Sequence, residues 1–159
     1  MGLDAKVYCN CFEIGRLKQL PPEPALVYVC PDGSLNCRNE DLEVLLEFDE
    51  WLRGSACEHK DGVLLHYRIG NIALVGLLRE ELKREATRFP VLLEKVLYNG
   101  VHAGDYLSLD MILKLQSESK ELAKFAVSDK TSQGFVGEFE KQMQGLVDAA
   151  LSVRKPISF

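Results

Sequence analysis

At 159 residues and a formal charge of −5, the chain has the size of one ordinary domain, long enough to bury roughly 70% of its unfolded surface without disulfide or metal support. Its 47% hydrophobic and 27% charged residues exclude a disordered chain, and its longest apolar runs, such as residues 72–78, are too short to span a bilayer. The acidic balance disfavours nucleic acid, because counterion release needs clustered Lys and Arg, and it favours a basic protein partner.

A single domain over residues 1–159, in the cytoplasm, is the expectation. Residues 1–6 contain no basic region ahead of an apolar segment, as a secretory signal requires. Lys6 stands where myristoylation of Gly2 requires Ser or Thr. Five cysteines, Cys9, Cys11, Cys30, Cys37 and Cys57, all lie in the first 57 residues, and an odd number in such a chain does not indicate a disulfide framework.

Residues 3–14 alternate. Leu3, Ala5, Val7, Cys9 and Cys11 point one way, and Lys6, Tyr8, Asn10 and Phe12 the other, which predicts a half-buried strand with both thiols on its inner face. Pro21, Pro22 and Pro24 form a stiff connector. Residues 25–30 are apolar on both faces and predict a central strand. Pro31-Asp32-Gly33-Ser34 is a turn, after which residues 35–38 return as a short third strand. Asn39 is placed to cap a helix running to about Leu52, with Leu45, Phe48 and Leu52 inward, joined by Leu42, Val44 and Trp51.

Residues 62–70 fit two patterns. Val63, Leu65, Tyr67 and Ile69 alternate as a strand would, yet the segment could run on as a helix into the apolar block after Asn71. With no stop stronger than Gly70-Asn71, helix is the preferred reading.

The next stretch is the predicted core. Leu74, Val75, Leu78 and Leu82 fall one helical turn apart, as do Phe89, Leu92, Leu93, Val96 and Leu97. Pro90 divides them into two helices and opens the second, and Gly100 is placed to end that one in a left-handed cap. Ala73, Gly76 and Leu77 make the first helix apolar nearly all round, which predicts burial on more than one side. A polar loop over 99–105 leads to a helix capped by Ser108 and running to about Phe125. A last helix over 131–153 turns Phe135, Phe139, Met143, Leu146, Val147 and Ala150 inward. Pro156 stops it, and residues 157–159 alternate like a short strand joining the edge of the N-terminal sheet. The fold class is α+β: a small antiparallel sheet formed near the two termini, covered by about five or six helices.

Four constellations could carry chemistry. The acidic helix places Glu40, Asp41, Glu43, Glu47, Asp49 and Glu50 in eleven residues with no base among them. Glu43, Glu47 and Glu50 share one exposed face, where like charges repel by a few tenths of a kcal/mol and a basic partner would relieve them. In the loop, His102 and Asp105 have the types of a general base and its orienting carboxylate. Cys9, Cys11, Cys57 and His59 are the types zinc takes, although Cys-x-Cys within an apolar alternation is not the usual two-residue spacing. His66 is seven residues from His59, about 10.5 Å of rise on a helix, too far for joint ligation. Cys57 near His59 or His66 is the remaining candidate, as a nucleophile.

Met1-Gly2-Leu3-Asp4-Ala5 running into a strand, and Asn99-Gly100-Val101-His102-Ala103-Gly104-Asp105 followed by a capped helix, resemble a scattered group of small uncharacterised bacterial proteins, some regarded as immunity proteins of polymorphic-toxin systems. The resemblance covers about a dozen residues and carries no catalytic residue. It implies an acidic cytoplasmic protein that blocks a toxin by covering its surface. The expectation from sequence is therefore a non-enzymatic, cofactor-free protein-binding module using Glu43, Glu47 and Glu50, with the cysteines as small buried hydrophobes. The alternative is a zinc-dependent enzyme or structural zinc domain built on Cys9, Cys11, Cys57 and His59.

Overall fold

The computed structural model describes residues 2–100, 102 and 104–159. Met1, Val101 and Ala103, part of the two stretches that carry the resemblance, lie outside the described residues. The architecture is α+β, as expected. A four-stranded antiparallel sheet has the order β4-β1-β6-β5, formed by β1 (Gly2–Tyr8), β4 (Val63–Asn71), β5 (Tyr106–Leu107) and β6 (Ile157–Ser158). A separate hairpin pairs β2 (Val27–Val29) with β3 (Leu35–Cys37). The main helices are α1 (Leu42–Gly54), α2 (Ile72–Lys83), α3 (Leu109–Leu122) and α4 (Lys130–Val153), with a π-helical turn at Leu92–Val96.

The inner face of β1 is the one the alternation predicts: Leu3, Ala5 and Val7 are fully buried. The strand ends at Tyr8, however, and residues 11–15 form a turn, so Cys9 and Cys11 leave the sheet instead of lining it. Residues 63–71 are a strand and not the preferred helix, running antiparallel to β1 from Gly2↔Asn71 to Tyr8↔Val63. Gly70-Asn71 is the boundary, because the Asn71 side chain accepts the Leu74 N–H at 2.9 Å and starts α2. Pairing with β1 satisfies a whole row of backbone groups at once, which the helix periodicity downstream could not reveal. β1 and β4 cross closely at their ends, where a Cβ on Gly2 would stand 2.4 Å from the Gly70 carbonyl oxygen.

β6 pairs with the free edge of β1, and β5 then adds outside it. Helices α2, α3 and α4 bury the inner face of this sheet through Val75, Leu78, Leu82, Ile112, Leu115, Phe139, Met143 and Leu146. Only one side of α2 is buried; Ala73, Gly76 and Ile72 face outward, contrary to the all-round prediction. On α4, Val136 takes the inward place assigned to Phe135, which is exposed. The corner at Phe89-Pro90 is as expected, with Phe89 fully buried edge-on against Phe125. Gly100 is not among the residues with positive φ; within this loop Gly104 is, at 84°.

Between β1 and β4 lies an insertion with its own small core of Cys37, Phe48, Trp51 and Ala56. Residues 25–30 are not central here. β2 belongs to the two-stranded hairpin, and the Arg38 guanidinium lies 4.6 Å over the Tyr28 ring, covering apolar surface that a second layer would otherwise need to cover. The turn is as predicted: Gly33 has φ 91°, and the Asp32 carboxylate accepts the Ser34 N–H. Helix α1 is capped by Asp41, two residues beyond Asn39, whose own side chain accepts the Asp41 N–H instead. No described helix is long and apolar enough to cross a membrane.

Candidate metal centre

The two ends of the insertion meet where β1 and β4 part. Cys9 follows β1 directly, and its N–H donates to the Gly62 carbonyl at 2.8 Å. Cys11 opens the turn that Gly15, at φ 70°, completes, and its carbonyl accepts the Arg16 N–H at 2.8 Å. From the other end, Cys57 and His59 sit in the bend between α1 and β4, where Asp61 and Gly62 both take positive φ to return the chain to the sheet.

This topology brings one ligand atom from each of Cys9, Cys11, Cys57 and His59 within 4.8 Å of all the others. The separations are 3.8 Å for Cys9 Sγ to Cys57 Sγ, 3.4 Å for Cys11 Sγ to His59 Nδ1 and 3.9 Å for Cys57 Sγ to His59 Nδ1. Zinc–sulfur bonds of about 2.3 Å and zinc–nitrogen bonds of about 2.0–2.1 Å at tetrahedral angles put S···S edges near 3.8 Å and S···N edges near 3.6 Å. These three edges match those of a zinc tetrahedron, and the remaining ones lie within 4.8 Å. The His59 N–H also points to the Cys57 sulfur at 3.4 Å, the kind of backbone support that steadies a coordinated thiolate.

As bare thiols, Cys9 and Cys11 are unfavourable to ionise. Burial pushes Cys9 up to about 12, the neighbouring thiols add to the rise, and the Cys11 backbone opposes it. Cys11 is raised as well, by burial first, with Arg16 among the groups opposing. A divalent cation inverts this balance, since coordination removes the thiol protons outright.

Cys-x-Cys inside a strand is unsuited to a metal, but β1 ends at Tyr8. Past the end of β1 the chain bends, and the two sulfurs can converge with a Cys-x-His pair from 48 residues away. Cys37 does behave as a small hydrophobe, packed in the insertion's core. His66 is on the outer face of the sheet, 3.4 Å from Asp4, and takes no part.

The other expected site residues are scattered. Glu43, Glu47 and Glu50 are exposed along the outside of α1, beside Leu42 and Leu46, which are 68% and 56% exposed. His102 and Asp105 do come together, with Nδ1 3.3 Å from Oδ2, but that approach is not aligned as a hydrogen bond. The His102 ring lies between Tyr98 and Phe159 at 4.9 and 4.8 Å, its side chain is 3% exposed, and Nε2 is 2.9 Å from the Val96 carbonyl. The nearby cavity of about 370 Å³ is lined by Tyr98, Asp105, Tyr106 and Phe159 among others, and His102 is not one of the lining residues. The arrangement braces the loop against the chain's last residues and presents no imidazole nitrogen to that cavity.

Two buried charges escaped sequence reasoning. Glu118, 6% exposed, accepts the Val91 and Leu92 N–H groups at 2.8 Å each. Lys155 reaches the Glu13 carboxylate at 2.6 Å and the Gly33 carbonyl at 3.1 Å. Comparison with family models, with curated proteins and with solved structures returns no match.

Proposed function

We propose that the chain is a non-enzymatic binding module whose inserted lobe is stapled to the sheet by a structural Zn²⁺ on Cys9, Cys11, Cys57 and His59. The observation that carries this reading is the convergence of those four ligand atoms within 4.8 Å. Three sulfurs and one imidazole nitrogen suit zinc by softness and number. All four corners come from the protein, leaving no position for a reacting water, which is the signature of a structural and not a catalytic site. The insertion has a core of only a few buried side chains, too small to be stable alone, so a crosslink at its neck has a clear physical purpose. Elemental analysis of protein purified without chelator is expected to find about one zinc per chain; zinc-free protein with all five thiols reduced would end the proposal.

The recognition surface we assign to this module is the outside of α1. Its exposed Glu43, Glu47 and Glu50 adjoin the exposed Leu42 and Leu46, a combination of apolar anchor and charge that fits a basic protein partner. Neutralisation of a toxin by surface coverage, the role implied by the sequence resemblance, needs no more than this. Reversing all three glutamates to lysine in a binding assay tests the face, and unchanged affinity removes it.

A further inference from the structure

Building on the zinc reading, we infer that Cys9 and Cys57 form a peroxide-sensitive pair, which exchanges the metal staple for a disulfide and releases the ion. Their sulfurs are 3.8 Å apart, side by side on one edge of the tetrahedron, and they come from opposite ends of the insertion. Cys9 is a half-buried residue, where Cys11 and Cys57 are buried ones. A zinc-bound thiolate is a nucleophile that a neutral thiol is not.

The chemistry closes with hydrogen peroxide as the oxidant. The Cys9 thiolate attacks one peroxide oxygen; the S–O bond forms as the Zn–S and O–O bonds break, and the departing hydroxide takes a proton from solvent. The Cys57 thiolate then attacks the sulfenic sulfur; the S–S bond forms as the Cys57 Zn–S bond and the S–O bond break, and this hydroxide is protonated too. Two thiolates lose two electrons, one peroxide becomes two waters, and zinc keeps only Cys11 and His59. Two ligands do not hold a structural zinc.

The consequence is specific to this topology. Chelation of the metal leaves the neck of the insertion open, whereas the Cys9–Cys57 bond joins the same two strand exits covalently. Oxidation therefore releases zinc while the lobe stays docked. Trp51, the single tryptophan, lies in the lobe's core with its indole N–H on the Gln19 carbonyl, and so reports the difference.

The test treats zinc-loaded protein with hydrogen peroxide and follows three signals: free zinc with a colorimetric chelator, disulfides by non-reducing peptide mapping, and Trp51 fluorescence. The expected result is release of the bound ion, a Cys9–Cys57 bond, no red shift of Trp51, and reloading after reduction with a dithiol. A Cys30→Ser variant, outside the cluster, should respond in the same way. Retained zinc, a bond involving Cys30 or Cys37, or a red shift like that produced by chelation each overturns the inference. The zinc reading fails separately, if the protein carries no metal before peroxide is added; the mapped disulfide then still decides whether this pair is the reactive one.

Discussion

Cys57→Ser is expected to strip the protein of its ion and loosen the insertion while leaving the helices on the sheet in place. Serine preserves the side chain's size, but its hydroxyl stays protonated near neutral pH and is a poor zinc ligand. An ion that binds only the folded chain contributes about 4 kcal/mol when free zinc is about a thousand times its dissociation constant. At about 2–4 °C per kcal/mol for a protein of this length, Tm should fall by about 8–16 °C. The loss should appear first at Trp51, because its surroundings belong to the small core, and chelation of the unmodified protein should reproduce it.

The pH dependence has opposite signs with and without metal. Zinc binding displaces thiol protons, so the ion should leave as pH falls. In the metal-free chain Cys9 is raised from 9.0 to about 12, so the native state keeps a proton that the unfolded chain has lost. Stability from this group is complete below about 9 and is lost as pH rises toward 12. A Cys57→Ser protein that retains zinc and melts like the parent would show that these side chains do no coordinating.

Glu118→Ala should lower stability by about 2–6 kcal/mol. The carboxylate accepts the first two N–H groups after Pro90, and helical turns leave such donors without partners of their own. Removing the acceptor leaves two buried N–H groups unpaired, at about 1–3 kcal/mol each. Glu118→Gln separates hydrogen bonding from charge. Burial raises the Glu118 carboxyl above 4.5, against the pull of the two N–H groups. The folded chain therefore binds more protons than the unfolded one just above that value, and this group's stabilisation declines as pH rises through its folded pKa. The Gln variant should lose that decline while keeping one of the two bonds. Urea midpoints measured across the acid range check both statements, and an Ala variant as stable as the parent would show that water replaces the carboxylate.

Much of the core was legible locally. Pro90 marked the corner because it lacks an N–H and restricts the residue before it, and Leu78, Leu82, Phe139 and Met143 declared their burial by helical spacing alone. Glu118 was hidden by the same rule: it stands beside Leu115, Ser119 and Leu122 on the buried side of α3, yet a glutamate there reads as surface. Its only clue lies 27 residues away, in the donors that Pro90 leaves open.

The sequence by itself determined the α+β class, the helices of the core and the residue types of the proposed zinc site, because periodicity and composition are properties of a few turns of chain. Tertiary structure alone decided that residues 63–71 pair with β1, that β1 stops at Tyr8, and that a Cys-x-Cys and a Cys-x-His step meet at one point. Each of those outcomes depends on which distant backbone groups satisfy one another, and strand pairing across a 54-residue insertion leaves no periodic trace along the chain.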